Sequence, residues 1–229
     1  MKRTRIFYSV ALVGLLLAGG LPSLFSQPRT NDPLSQTVRL KLDHVNTPDA
    51  VTQVLLDADL PGGISVVNYC GGYATRDLRP SQNSVRGVLN AVVSTDPNYL
   101  WRVNEGVVNL SPRYTKNHFL ETVIPKLELE NVKTPDEALQ ALLAIPEVDR
   151  QATHELGSRV AEGYAYGFSV NGPAVSERQS SFSLALKDVT VRDALNSIAK
   201  SSGGGIWVLV KNECTNGNRK TYSLKFVHK

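Results

Sequence analysis

Two hydrophobic patterns alternate along this chain. Segments in which every second residue is apolar predict half-buried strands, and they occur around Val38–Leu42, 127–129, 182–186 and 222–226. Segments with apolar residues three and four apart predict amphipathic helices. Their stripes are Val51/Val54/Leu55/Ala58, Val85/Val88/Leu89/Val92, Ala138/Leu139/Leu142/Leu143 and Ala194/Leu195/Ile198/Ala199. Strands and helices in this mixture predict an α+β fold.

The helices belong to an internal repeat. Val45–Leu56 aligns without a gap on Val132–Leu143, with seven of twelve positions identical and an offset of 87. Val85–Asn90 aligns on Val191–Asn196 at an offset of 106, and the same register places Trp101 on Trp207. The offsets differ by 106 − 87 = 19 residues, so the second copy carries an insertion at about 150–181.

Each repeated unit has the pattern strand, helix, strand, and Thr47, Thr134 and Thr190 stand where helices are expected to begin. We therefore predict two tandem small domains, each built from two βαβ-type units with mixed sheets. The first domain is expected at 37–112 and the second, with the insertion, at 122–229. Residues 27–36 and 113–121 are expected to be linkers.

The first 26 residues have the three-part pattern of a secretory signal peptide. Lys2, Arg3 and Arg5 precede an uncharged apolar segment from Ile6 to Leu21, and small residues follow. An uncleaved anchor is the alternative. The formal net charge of +4 becomes 4 − 3 = +1 without the leader, so the charge does not indicate a nucleic-acid partner. We expect an exported protein, periplasmic or secreted, with no membrane span after signal removal.

The segments Val85–Leu110 and Phe182–Val210, preceded by Thr47–Val67 and Thr134–Leu143, together resemble a known domain. The pattern is similar to the short N-terminal domain of secretins and TonB-dependent receptors, present here in two copies. The resemblance implies a small periplasmic α+β domain that contacts partner proteins of the cell envelope. No barrel or pore segment follows in this sequence, which favours a free-standing adaptor.

Few residues in the sequence indicate a reactive or binding site. Cys70 and Cys214 each follow a predicted strand, and in an oxidising compartment they could form a disulfide; a reactive thiol is the alternative. The aromatic residues Tyr164, Tyr166 and Phe168 could bind a partner, since aromatic side chains are enriched at interfaces, or could form one more strand. Trp101 and Trp207 are expected in the core, with ligand stacking as the alternative.

No catalytic, metal-binding or cofactor-binding residue is predicted. His154-Glu155 lacks the second His of a zinc-protease helix, and Asp43-His44 is expected to be a local surface pair. We therefore expect a non-catalytic protein-interaction module that docks on an envelope protein, with self-association also possible. A small-ligand or glycan-binding protein is the alternative.

Overall fold

The computed structural model describes residues 32–68, 73–156, 181–214 and 219–228. After a 3₁₀ turn at Pro33–Ser35, the elements follow in a repeated order. The first half contains β1 (Leu42–Val45), α1 (Thr47–Asp57), β2 (Gly62–Asn68), β3 (Arg76–Leu78), α2 (Val85–Thr95), β4 (Tyr99–Asn104) and β5 (Val107–Pro112). The second half contains β6 (Val123–Val132), α3 (Pro135–Leu143), α4 (Pro146–Leu156), β7 (Phe182–Thr190), α5 (Val191–Ser201), β8 (Ile206–Cys214) and β9 (Arg219–Val227).

Strands of both halves form one mixed five-stranded sheet with the order β4-β5-β2-β8-β9. The central strand β2 runs parallel to β5 on one side and to β8 on the other. The flanking pairs β4-β5 and β8-β9 are antiparallel hairpins. The predicted α+β class is confirmed. The division into two tandem domains is not confirmed, because hydrogen bonding between β2 and β8 joins the halves in one compact unit, Asp32–Lys229.

The shared sheet separates two hydrophobic cores. Strand β8 contributes to both, because successive side chains of a strand point to opposite faces. Ile206, Val208 and Val210 belong to the first core, together with the apolar faces of α1 and α2. Trp207 and Leu209 belong to the second core, together with those of α3 and α5. Burial of β8 on both faces explains the uninterrupted apolar run from Ile206 to Val210.

Each half also has a small antiparallel sheet of two strands, β1-β3 in the first and β6-β7 in the second. Both pairs contain a register shift, at Leu42/Val45 and at Leu129/Val132, which are 87 residues apart. Inside these shifts His44 and Asn131 have positive φ angles of 53° and 52°. The predicted repeat thus has a structural counterpart at the level of single backbone angles.

Polar side chains cap four helices and account for where they begin. Ser84 Oγ accepts from Gly87 N, Thr134 Oγ1 from Glu137 N and Thr190 Oγ1 from Asp193 N, as expected for N-caps. The first helix differs from the prediction. Asn46, one residue earlier than Thr47, accepts from Asp49 N at 2.9 Å. Thr47 instead donates to the Asp96 carboxylate at 2.8 Å.

The prediction of a strand after the third helix was wrong. Where the first half has β2, the second half has α4. Pro146 opens this segment and Glu147 and Asp149 lie in its first turn, where proline and acidic residues favour a helix. Val148 and Ala152, four residues apart, are buried in the second core. No Pro-Gly-Gly sequence follows α3 to turn the chain into a strand, as Pro61-Gly62-Gly63 does after α1.

Candidate functional site

The predicted partner-binding residues Tyr164, Tyr166 and Phe168 lie outside the described residues, as does Cys70. Cys214 is the last residue of β8. The pairing of β2 with β8 supports the predicted disulfide. Asn68, the last residue of β2, pairs with Asn212 of β8, and each cysteine follows one of these two residues by two positions. The disulfide itself stays a prediction.

The two tryptophans occupy equivalent places in different environments. Trp207 is fully buried, its Nε1 donates to Asn196 Oδ1 at 2.8 Å, and its indole lies where a Cβ on Gly63 would be. Its predicted place in the core is confirmed. Trp101 makes the matching bond to Asn90 Oδ1 at 3.1 Å but is only half-buried, because it lies on an outer strand of the sheet.

The exposed surface of Trp101 is partly covered by a cation. The Arg86 guanidinium lies 5.8 Å from the ring centroid, within the range of a cation–π contact. Arg86 also pairs with Asp32 at 3.0 Å. Trp101 is therefore held by neighbours in its own half and is not arranged as an open stacking surface.

The outer strand β9 ends the sheet on the other side. Among the described strands it pairs with β8 alone, along the whole of Arg219–Val227. Residues 223–228 are all half-buried. Leu224 and Phe226 pack against the second core and Val227 packs against the first. The strand therefore has apolar support on both faces.

Burial shifts the pKa values of two charged groups near this strand. Burial lowers the pKa of Lys225, an effect that the charge of Asp49 opposes. Burial raises the pKa of Asp49, and a hydrogen bond from Asn46 Nδ2 at 2.7 Å opposes that shift. Lys225 lies two residues from Val227, on the same face of β9, so this half-buried pair couples β9 to the start of α1.

A cavity of about 410 Å³ lies at the start of α1 and the end of β2, lined by Tyr73, Tyr99, Tyr114, Arg76 and Asp96 among others. The Tyr73 hydroxyl is buried and has no hydrogen-bond partner among the described residues. Burial raises the pKa of this phenol above its usual range. Three tyrosines, a guanidinium and a carboxylate could hold a small polar ligand, and sequence reasoning missed this site because these residues are far apart in the chain.

The predicted surface pair Asp43-His44 has different partners from those expected. His44 Nδ1 lies 3.0 Å from Asp77, while Asp43 pairs with Lys41 and Arg79 at 2.8 and 2.6 Å. Hydrogen bonds from Lys41 and Arg79 hold the pKa of Asp43 below its usual value. These are exposed contacts between β1 and β3, and their arrangement is that of a surface ion-pair network.

No protein-family model, curated protein or solved structure matches this chain. Within the described ranges, no helix has the length and apolar character needed to cross a membrane. In the same ranges no three His, Cys, Asp or Glu side chains are grouped as metal ligands.

Proposed function

We propose that the chain is an exported, non-catalytic protein-interaction module that works in the periplasm and docks on a protein of the cell envelope. The observation that carries the proposal is the repeated strand–helix–strand pattern, whose two copies share one mixed sheet. The leader sequence and the resemblance to the short domain of secretins and TonB-dependent receptors support the location and the class of partner.

Chemical cross-linking in intact cells tests this proposal. Lys116, Lys126 and Lys187 are exposed. Lys126 and Lys187 are paired on β6 and β7, so together with Lys116 they let an amine-reactive reagent sample two places on the surface. We expect reproducible links to one envelope protein. A chain lacking residues 2–26 is the control, because it stays in the cytoplasm and should lose those links. Links that persist in this control, or links to cytoplasmic proteins only, would count against an envelope function.

A small-ligand or glycan-binding function is the second candidate, and the cavity at Tyr73 favours it. Aromatic rings and convergent polar groups are typical of ligand sites. A thermal-shift screen of sugars and small polar metabolites on the purified chain tests it. The variants Tyr73→Phe and Arg76→Gln should each lose the response to a genuine ligand of this cavity, while an exposed control such as Lys116→Gln should keep it.

A further inference from the structure

The cavity at Tyr73 is lined by one cation and one anion, and each lacks a counter-ion. Arg76 is the first residue of β3, and Asp96 directly follows α2. Asp96 is half-buried and accepts hydrogen bonds from two neutral donors, Thr47 Oγ1 at 2.8 Å and Asn98 Nδ2 at 3.2 Å. Among the described residues neither Arg76 nor Asp96 forms an ion pair. A ligand that carries both charges would supply the two missing partners.

The Tyr73 hydroxyl adds a hydrogen-bond donor on the side of the cation. This hydroxyl is buried, and no group in the described part of the chain bonds to it. Burial raises the pKa of the phenol, so it is protonated at neutral pH and can donate. Tyr73 and Arg76 are three residues apart in the sequence, so one stretch of chain supplies both donors. A carboxylate accepts hydrogen bonds through both of its oxygens and is therefore the group that suits this pair.

An exposed aromatic ring lines the same cavity. Tyr114 follows β5, and 82% of its surface is exposed. The volume of about 410 Å³ lies in the range of small-ligand sites and exceeds what a carboxylate and an ammonium group fill by themselves. Aromatic rings pack favourably against one another in stacked or edge-to-face arrangements. An aromatic side chain on the ligand would fill the remaining space and cover the Tyr114 ring.

We propose that this cavity binds a free α-amino acid with an aromatic side chain. The ligand carboxylate accepts hydrogen bonds from Arg76 and Tyr73, and the ligand ammonium group donates to Asp96. The aromatic ring of the ligand packs against Tyr114. The inference rests on the second candidate function, ligand binding at this cavity, and names the class of ligand. A neutral sugar matches the site less well, because it would leave both charged side chains without a counter-ion.

Isothermal titration calorimetry on the purified exported chain tests the assignment with four probes. L-phenylalanine carries both charges and the ring, and it should bind. N-acetyl-L-phenylalanine lacks the ammonium charge, and L-phenylalanine amide lacks the carboxylate. Each should bind at least about 10-fold more weakly than L-phenylalanine, because charge-assisted hydrogen bonds are the strong ones. L-alanine keeps both charges and lacks the ring, so it should also bind more weakly.

Two variants assign each charge of the ligand to one side chain. Arg76→Gln should weaken L-phenylalanine binding about 10-fold and leave the affinity for L-phenylalanine amide unchanged, since the amide has no carboxylate to lose. Asp96→Asn keeps an oxygen that can accept from Thr47. It should weaken L-phenylalanine binding by a similar factor and leave the affinity for N-acetyl-L-phenylalanine unchanged. Arg102→Gln is the matched control, because Arg102 is exposed on β4 and does not line the cavity; this variant should bind L-phenylalanine normally.

The outcomes separate the inference from the function on which it rests. Equal affinities for L-phenylalanine and its two blocked analogues, or variants that weaken all three probes alike, would overturn the charge assignment. Binding of a neutral sugar that Tyr73→Phe abolishes, without binding of L-phenylalanine, would overturn the amino-acid assignment and leave ligand binding at the cavity standing. If neither amino acids nor sugars bind, the inference and the second candidate function both fail, and docking on an envelope protein is unaffected.

Discussion

Gly63→Ala is the substitution that most sharply tests whether the two halves share one sheet. Gly63 lies in β2, and a Cβ there would overlap the Trp207 indole of β8, 144 residues later in the chain. Trp207 is fully buried and bonded to Asn196, so it cannot move aside freely. If the halves were independent domains, the added methyl group would not meet this ring.

The expected loss of stability combines two effects. Overpacking by one methyl group in a well-packed core costs about 1–3 kcal/mol. Displacing the indole also strains its buried hydrogen bond to Asn196, and a buried polar group left without its partner costs about 1–3 kcal/mol. We therefore expect Gly63→Ala to lower the free energy of unfolding by about 2–4 kcal/mol.

Urea unfolding followed by far-ultraviolet circular dichroism measures this loss and allows a double-mutant cycle with Trp207→Phe. The smaller ring relieves the overlap, so the two changes should couple by about 1 kcal/mol or more. Gly62→Ala is the matched control, because its Cβ would meet Leu55 and then Ile206 in the first core, whereas Trp207 belongs to the second core. It should be additive with Trp207→Phe to within about 0.5 kcal/mol. Additivity of Gly63→Ala with Trp207→Phe would refute the shared-sheet packing.

Four more outcomes follow from single contacts. Burial lowers the pKa of His228 from 6.5, so the unfolded chain takes up a proton at a higher pH than the folded chain does. The free energy of unfolding should therefore fall as the pH drops below 6.5. His228→Gln should flatten that part of a urea-unfolding pH series. Mass spectrometry of the exported chain should show Cys70 and Cys214 joined, and replacing both with Ala should lower the free energy of unfolding by about 2–5 kcal/mol. Thr190→Ala removes the N-cap of α5 and should cost about 1 kcal/mol in the same assay. Tyr73→Phe should leave thermal stability unchanged or raised, since it removes a buried hydroxyl that has no described partner.

The local elements could be predicted from the sequence because each depends on neighbouring residues. The helix stripes, the caps at Thr134 and Thr190 and the two-residue turn at Glu105-Gly106, where both φ angles are positive, are set within a few positions. The pairing of β2 with β8 could not be predicted in this way. Parallel pairing across 144 residues leaves no local pattern beyond apolar runs, and the repeat favoured two separate domains.

The helix α4, which stands where the first half has β2, had a signal in the repeat alignment. At the offset of 87, Ile64–Val67 of the first half aligns with Gln151–His154, a polar segment that cannot serve as a buried strand. This mismatch marks the replacement of the strand by a helix. The cavity at Tyr73 had no such signal, because its walls come from four separate stretches of chain that only the fold brings together.

Lysine cross-linking in intact cells tests the docking account most directly. The comparison is between the exported chain and the chain that lacks residues 2–26. The account predicts reproducible links from the exported chain to one envelope protein and the loss of those links in the shortened chain. The same links from both chains, or links to cytoplasmic proteins only, would contradict a docking function in the envelope.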